Sequence, residues 1–155
     1  MRLTSYTDYS LRTLMFLADH RDRLVTIAEI AEAHGIAKNH LTKVVHQLGQ
    51  LGYIETLRGR SGGLRLGREP ADINIGQVVR QTESDFFMAA CFDADSGGCI
   101  YSGQCNLQGT LGAATRAFLA VLDEATLEGM LKPAKKGARG AANTVQLHFK
   151  PPKKA

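Results

Sequence analysis

The stretch TIAEIAEAHGIAKNHLTKVVHQLGQLGY, residues 26–53, decides the fold because it contains two short amphipathic helices separated by a glycine. Thr26 and Glu29 have the T-x-x-E spacing of a capping box, which predicts a helix start. Gly35 is typical of the residue that follows a helix end. A second helix is predicted over about residues 37–50, where apolar side chains recur three and four positions apart: Leu41, Val44, Val45 and Leu48. Two helices joined by a tight, glycine-containing turn form a helix-turn-helix.

The segment that follows the second helix predicts a β-hairpin. Residues 54–57 and 64–66 are short β-like runs, and the sequence RSGG at residues 60–63 between them is typical of a turn. A hairpin directly after a helix-turn-helix is the wing of a winged helix.

Two further helices complete the predicted domain. One spans residues 7–19, with Thr7 as the N-cap and Asp8 in the first turn, where the helix dipole favours a negative charge. The other spans about residues 75–83. The sequence therefore predicts a mainly α fold in which residues 1–83 form a winged helix-turn-helix with a small β-hairpin wing.

The C-terminal part predicts a long helix over residues 106–131. Its apolar side chains alternate spacings of four and three: Leu107, Leu111, Ala114, Phe118, Val121 and Ala125. This heptad-like spacing suits packing against a partner helix, and the alternative is an intramolecular amphipathic helix. Because so small a domain offers little else for so long a helix to cover, we expect it to pack against a partner helix and to serve as a dimerisation helix.

Charge divides the chain into an acidic body and a basic tail. The net charge is +4, but residues 132–155 hold seven of the 19 basic residues and no acid. The remaining 12 basic and 15 acidic residues give −3 for residues 1–131. The tail is rich in Pro, Gly and Lys and is predicted to be disordered, either as a solubilising segment or as a weak attractor of phosphates. Nucleic-acid binding must therefore be argued from local patches.

Composition also narrows the class of protein. The chain is 44% hydrophobic but has no run of 18 apolar residues, so we expect no membrane span. Its first residues carry charges within the apolar stretch and lack a signal-peptide cleavage site, which indicates a cytoplasmic protein. No nucleophile–base pair, phosphate-cradling loop or paired carboxylate spacing stands out, so an enzyme is not expected.

The predicted second helix carries a polar stripe opposite its apolar stripe. In DNA-binding helix-turn-helix proteins this helix enters the major groove, where Asn, Lys and Thr bond to base edges and wing arginines reach phosphates or the minor groove. An ordinary solvated face would look the same, but the turn and the arginine-rich hairpin favour DNA binding. The candidate DNA-binding residues are Lys38, Asn39, His40, Thr42, Lys43 and His46 in the helix and Arg58, Arg60 and Arg65 in the wing.

All three cysteines lie in one short segment, residues 84–105, as Cys91, Cys99 and Cys105. The spacing C-x7-C-x5-C lacks the close pairs of structural zinc, whereas iron–sulfur clusters tolerate irregular spacing in glycine-rich loops. Zinc, a thiol redox switch and no ligand remain alternatives. A fourth ligand is missing, and periodicity does not choose among the candidates: Glu83, Asp93, Asp95, Asp8, His20, His34, His40, His46 and His148.

About residues 1–131 resemble a family of bacterial winged-helix iron–sulfur regulators that includes the NsrR and IscR types. The resemblance rests on MRLTSYTDYSLRTL at residues 1–14, NHLTKVVHQLGQLGYI at 39–54, RGRSGGLRLG at 58–67, INIGQVVRQTE at 73–83, and three cysteines before a long helix. The opening and the segment KNHLTKVV are closer to the nitric-oxide-sensing NsrR type than to the IscR type, which governs cluster biogenesis.

The resemblance implies a homodimer that binds a palindromic operator and carries an iron–sulfur cluster, [2Fe-2S] or [4Fe-4S], on Cys91, Cys99 and Cys105. It also implies a repressor that nitric oxide releases from DNA. The NsrR type takes its fourth ligand from an aspartate near the other subunit's N-terminus, and Asp8 occupies the matching place. The IscR type uses a histidine just beyond the third cysteine, where this chain reads NLQGTLG. The alternatives are a same-fold sensor of iron or cluster status, a small electron-transfer iron–sulfur protein and a zinc-stabilised DNA-binding module.

Overall fold

The computed structural model describes residues 2–93, 99–101 and 105–131. This part of the chain is mainly helical and contains one two-stranded antiparallel hairpin, which confirms the predicted winged-helix fold class. The helices are α1 (Ser5–Asp19), α2 (Ile27–His34), α3 (Lys38–Gln50), α4 (Ile75–Thr82), α5 (Asn106–Asp123) and α6 (Leu127–Leu131), and the strands are β1 (Ile54–Leu57) and β2 (Gly63–Leu66). Two short 3-10 turns span Pro70–Asp72 and Ala90–Phe92.

The turn between α2 and α3 forms as the sequence predicts. The Glu29 amide donates to Thr26 Oγ1 at 3.2 Å, and the Thr26 amide donates to Glu29 Oε2 at 2.7 Å, which completes the capping box. Gly35 ends α2 in the left-handed conformation, with φ 63° and ψ 32°. Because L side chains rarely adopt that conformation, glycine suits the sharp turn that redirects the chain into α3.

The wing pairs Ile54 with Leu66 and Leu57 with Gly63, so β2 begins one residue earlier than predicted. Two backbone hydrogen bonds between Val25 and Leu64, of 3.0 and 2.8 Å, tie the hairpin to the segment before α2. The wing is therefore fixed to the helix-turn-helix through backbone as well as side chains.

The core lies between α1, α2, α3, the hairpin and α4. Its fully buried large side chains are Tyr53, Leu14, Leu17, Ile30, Leu41, Leu48, Ile73, Leu127, Val25, Val44, Val78 and Val79. The predicted stripe of α3 is buried in full. Leu127 of α6 joins the core although it follows α5 in the chain.

The predicted start of α1 is wrong by two residues. Thr4 is the N-cap, and its Oγ1 accepts the Thr7 amide at 3.3 Å, so Thr7 is buried inside the first turn. Glu83 Oε1 accepts the Thr4 amide at 2.7 Å, which ties the start of α1 to the end of α4. Asp8 lies in the first turn, as predicted.

The segment predicted as one helix over 106–131 contains two helices, because the chain turns at residues 124–126. There the Ile75 amide donates to the Ala125 carbonyl and the Leu127 amide donates to the Ile73 carbonyl, each at 2.9 Å. Ala125 consequently packs against the core instead of continuing the exposed stripe. None of the helices described is long and apolar enough to cross a membrane. The predicted disordered tail, residues 132–155, lies outside the described residues.

Candidate functional site

The outer face of α3 carries every helix residue predicted to contact DNA. Lys38, Asn39, His40, Thr42, Lys43 and His46 are all exposed. The burial of Leu41, Val44, Val45 and Leu48 on the opposite side holds the polar stripe outward. Thr42 Oγ1 donates to the Lys38 carbonyl at 3.0 Å and can exchange that bond for a base or a phosphate. The helix thus presents donors and positive charge on one side.

The N-terminus of α3 is open toward solvent. Its N-cap is Ala37, whose side chain makes no capping hydrogen bond, and no acid lies in the first turn. The first amides of a helix carry partial positive charge, to which Lys38 adds a full charge. Together they form a positively polarised end of the helix, the kind of place that suits an anion such as a phosphate.

Two tyrosines of α1 that sequence reasoning did not select lie beside α3. The Tyr6 hydroxyl donates to the Lys43 carbonyl at 3.2 Å, and the Tyr9 ring stacks on His40 with 6.3 Å between centroids. Burial raises the pKa of the Tyr6 hydroxyl, which keeps it a donor. The sequence does contain a sign of their role, which is the pair of tyrosines three residues apart in α1. Aromatic side chains that carry a polar group are common at interfaces.

A groove of about 550 Å³ lies along Tyr6 and the second half of α3. Its other lining side chains continue the polar stripe: Thr42, Lys43, His46, Gln47 and Gln50, with Leu51 at the end. Gln47 and Gln50 follow Lys43 and His46 at a spacing of four, so the same periodicity predicts them.

The wing arginines differ in how free they are. Arg58 and Arg60 lie exposed in or beside the hairpin turn, and no ion pair holds either of them within the described part of the chain. Arg65 is paired with Glu55 across the strands, with 2.7 Å between Nη2 and Oε2. Arg65 would therefore have to leave that carboxylate before it could bind a phosphate, whereas no such exchange would be needed at Arg58 or Arg60.

The cysteine segment connects α4 to α5. Cys91 lies half-buried in the 3-10 turn, Cys105 lies half-buried as the residue that precedes α5, and Cys99 is exposed. All three thiols are free of disulfides. Gln108 Nε2 donates to the Cys91 carbonyl at 3.0 Å, so the first turn of α5 holds the start of the segment.

The described residues of one chain do not assemble a complete metal site. Across residues 2–93, 99–101 and 105–131, no three His, Cys, Asp or Glu side chains are placed to hold a metal ion. The chemistry of the donor set nevertheless fits an iron–sulfur cluster, because three thiols in one segment are soft ligands and the segment is one ligand short of four.

Asp8 is not joined to the cysteines of its own chain. Its carboxylate pairs with Arg12 at 3.0 Å and faces a surface cleft of about 400 Å³ that Arg2, Leu3 and Ser5 also line. The Asp8 side chain is 43% exposed, so a second molecule can reach it. The structure of a single chain leaves Asp8 as a predicted ligand.

The other predicted ligands divide into groups. His20 Nδ1 bonds to the Phe16 carbonyl at 2.8 Å, and His34 packs edge-on against the Phe16 ring. His40 and His46 face outward on α3. Glu83 binds the start of α1, and Asp93 follows the 3-10 turn of Cys91. Asp95 and His148 lie outside the described residues.

Sequence comparison identifies the family. The profile of the Rrf2 family, described as an iron-dependent transcriptional regulator, matches residues 3–133. The chain belongs to the Rrf2 family. It is 56% identical over 133 residues to the HTH-type transcriptional regulator NsrR of Bacillus subtilis. The aligned region covers 85% of this chain and 91% of that protein. The NsrR of Bacillus licheniformis is 52% identical over 132 residues, spanning 84% of this chain and 92% of that protein.

Solved structures share the fold of this Rrf2 protein. IscR of T. potens superposes with a TM-score of 0.66 at 24% identity and covers 97% of this chain and 94% of its own. CymR of B. subtilis, the global cysteine regulator, gives 0.68 at 24% identity and covers 84% and 96%.

These relatives are named as regulators of transcription and not as enzymes, which confirms the prediction that the chain is not an enzyme. The chain is a transcriptional regulator of the Rrf2 family, with the winged helix that binds DNA.

Proposed function

We propose that this chain is a cytoplasmic repressor that binds operator DNA as a homodimer, carries an iron–sulfur cluster and is released by nitric oxide. One observation carries the proposal: three cysteines, none of them in a disulfide, lie between the winged helix and α5, in a chain 56% identical to a protein named NsrR. Reduced thiols suit the cytoplasm, where operator DNA is also found.

The DNA-binding step follows from the exposed face of α3. Asn39, Thr42 and Lys43 would reach base edges in the major groove, while the open N-terminus of α3 anchors a phosphate. Arg58 and Arg60 would contact the flanking phosphates or minor groove. In a two-fold dimer the two α3 helices are expected about 34 Å apart, which corresponds to half-sites one DNA turn apart.

Exposure along α5 supports the dimer. No residue of α5 is buried, and its heptad-like stripe leaves Leu107 63% and Val121 68% exposed. Phe118 and Leu111 on the same stripe are half-exposed. A second copy of α5 packed on this stripe would cover apolar surface that α4 leaves open.

Cys91, Cys99 and Cys105 would hold the cluster, with Asp8 of the partner subunit as the fourth ligand. A [2Fe-2S] or [4Fe-4S] cluster there would supply iron that reacts with nitric oxide. Asp8 is the weakest donor of the set, because a carboxylate suits iron less well than a thiolate does.

The position of Asp8 connects the cysteine segment to DNA binding. Asp8 lies one turn beyond Thr4, which Glu83 ties to the end of α4, and α1 packs against α3 through Tyr6 and Tyr9. Holding or freeing the Asp8 carboxylate therefore acts on the helix that supports α3. A tenfold change in operator affinity requires only about 1.4 kcal/mol of difference between the two states.

The test uses full-chain protein purified without oxygen. We expect a gel shift on operator DNA that disappears after nitric oxide is added, and that also depends on the cluster. Binding that is unaffected by removing the cluster would exclude the sensor role but leave the DNA-binding role intact. The Asp8→Ala variant should assemble a cluster that is labile or altered in its visible spectrum.

The matched control for Asp8 is Asp19→Ala, which removes an exposed carboxylate from the other end of α1. An unchanged cluster spectrum and lifetime in Asp8→Ala, equal to those of the control, would point to another ligand.

A second candidate function is a sensor of iron or cluster status. The description of the family as iron-dependent favours it. In that case operator binding would change on iron chelation and would not respond to nitric oxide, so the same gel-shift experiment separates the two candidates.

A further inference from the structure

Asp123, the last residue of α5, is bound at its side chain by Arg80 in the last turn of α4 and at its backbone by Asn74, the N-cap of α4. The Arg80 guanidinium donates two hydrogen bonds to the Asp123 carboxylate, one of 2.7 Å from Nη2 to Oδ2 and one from Nη1 to Oδ1. Asn74, the N-cap of α4, donates through Nδ2 to the Asp123 carbonyl at 2.6 Å. We call Asn74, Gly76, Arg80 and Asp123 the α4–α5 junction.

The junction is close because Gly76 has no side chain. A Cβ at Gly76 would collide with the Asp123 carboxylate and would lie 2.9 Å from the Asp123 amide nitrogen. The hydrogen bond from the Ile75 amide to the Ala125 carbonyl continues the contact just beyond α5. Because Gly76 has no side chain, the backbone of α4 can lie directly against the backbone at the end of α5. This close contact leaves little freedom in the angle between the two helices.

The ion pair in the junction fixes the relative orientation of Arg80 and Asp123 more than it stabilises the fold. Both side chains are exposed, 41% for Arg80 and 43% for Asp123, and exposed ion pairs add little to the free energy of folding. The Arg80 hydrogen bonds lower the pKa of Asp123, so the carboxylate stays ionised at neutral pH. A two-bond contact between a planar guanidinium and a carboxylate fixes orientation as well as distance.

The junction lies at one end of the long helix α5, so a small rotation there displaces the other end of the helix by a large distance. The 18 residues of α5 span about 27 Å, none of them is buried, and every residue of the apolar stripe within α5 is at least partly exposed. A rotation of about 10° at the junction would move the far end of α5 by about 5 Å, more than the about 3.4 Å that one base pair occupies.

We propose that the α4–α5 junction positions the winged helix on the dimerisation helix and so determines which spacing between operator half-sites the dimer accepts. Arg80 and Asp123 are positioning residues, and neither contacts DNA. The inference rests on the proposed function, since it requires a dimer formed through α5 on a two-fold operator.

The experiment measures affinity against half-site spacing. A palindromic duplex is selected from a randomised pool by the full-chain, anaerobically purified protein, and then rebuilt with one base pair removed or added at its centre. Each change alters the separation by about 3.4 Å and the rotation by about 35°. Asp123→Asn removes the charge and the two-bond contact, and Gly76→Ala displaces Asp123 by a different route.

The unchanged protein should bind its selected spacing about tenfold or more tightly than either neighbour, and the variants should reduce this preference below about threefold. Affinity for a single half-site should stay within about twofold of the unchanged protein. Glu69→Gln is the matched control, because it removes an exposed 2.7 Å ion pair to Arg21 that does not contact α5. It should keep the full preference.

Two results would overturn the inference: an unchanged spacing preference in both folded variants, or no preference in the unchanged protein. If one variant does not fold, the other decides. Failure of the unchanged protein to bind any selected duplex would instead refute the proposed function, so the two failures are distinguishable.

Discussion

Replacing Gly35 by alanine should destabilise the helix-turn-helix through the backbone alone. Gly35 has φ 63°, and a Cβ built there meets nothing within 4 Å. The substitution therefore adds no collision, and its cost is that of holding an L residue in the left-handed region, about 1–2 kcal/mol. Reduced freedom of the unfolded chain offsets about 0.4–1 kcal/mol of this. We expect a net loss of about 1 kcal/mol in the free energy of unfolding.

Gly109 supplies the matched control. It lies within α5, and a Cβ there also meets nothing within 4 Å, but its φ is not positive. Gly109→Ala should therefore stabilise the chain by about 0.5–1 kcal/mol, since alanine favours a helix interior. Replacing glycine by alanine should therefore lower the free energy of unfolding at position 35 and raise it at position 109. A Cβ meets no neighbouring atom at either position, so the difference comes from the backbone conformation.

Urea unfolding at equal protein concentration measures both variants, because the stability of the proposed dimer would depend on concentration. With an m-value of about 2 kcal/mol/M, the midpoint should fall by about 0.5 M for Gly35→Ala and rise by about 0.25–0.5 M for Gly109→Ala. Gly35→Asn should lose less, because asparagine tolerates the left-handed region. Equal shifts of the two alanine variants in the same direction would refute the reasoning.

Three further predictions concern the wing, the core and the capping box. Arg60→Ala should reduce the slope of log affinity for DNA against log salt concentration by about 0.9, and Arg65→Ala by less because Glu55 already holds its guanidinium; equal slopes for both variants would contradict this. Tyr53→Phe should cost about 1 kcal/mol in urea unfolding, because the buried ring stays while its hydroxyl loses a 2.6 Å hydrogen bond to α4, and an unchanged midpoint would be the contrary result. The pKa of Glu29 is lowered from 4.5 to about 2, chiefly by its hydrogen bond from the backbone amide of the α2 N-cap, so its stabilising effect is full above pH 4.5 and is lost as the pH falls toward 2. Glu29→Gln should show a smaller change of melting temperature across that interval, and a melting curve as pH-sensitive as that of the unchanged protein would argue against it.

The helix-turn-helix could be predicted from the sequence because the residues that define it lie close together in the chain. Thr26, Glu29 and Gly35 act within a few residues of one another, and the stripe of α3 is buried as its periodicity requires. The N-cap of α1 was mispredicted because Thr4 and Thr7 both fit the pattern. Glu83, which lies 79 residues away, binds Thr4, and no local pattern contains that contact.

Contacts distant in sequence also account for the other differences. The break after α5 depends on Asp123 meeting Arg80 and on Leu127 entering the core, neither of which periodicity contains. The pairing of Arg65 with Glu55 follows from the register of the hairpin, which fixes the facing residues only once the turn is known. The cysteines were found by composition, but the fourth ligand stays a prediction, because no three potential ligand side chains among the described residues are placed to hold a metal ion.

Leu127 is a core residue that is synthesised late, because it lies in the last described helix of the chain. The side chain that completes the core beneath α1 is made after α3, the wing, the cysteines and all of α5. A nascent or truncated chain that stops before residue 127 carries every residue predicted to contact DNA but exposes the apolar surface that α6 covers. Quality-control proteases would therefore encounter such fragments as incompletely folded, although the fragments already contain the cysteines and all of α5.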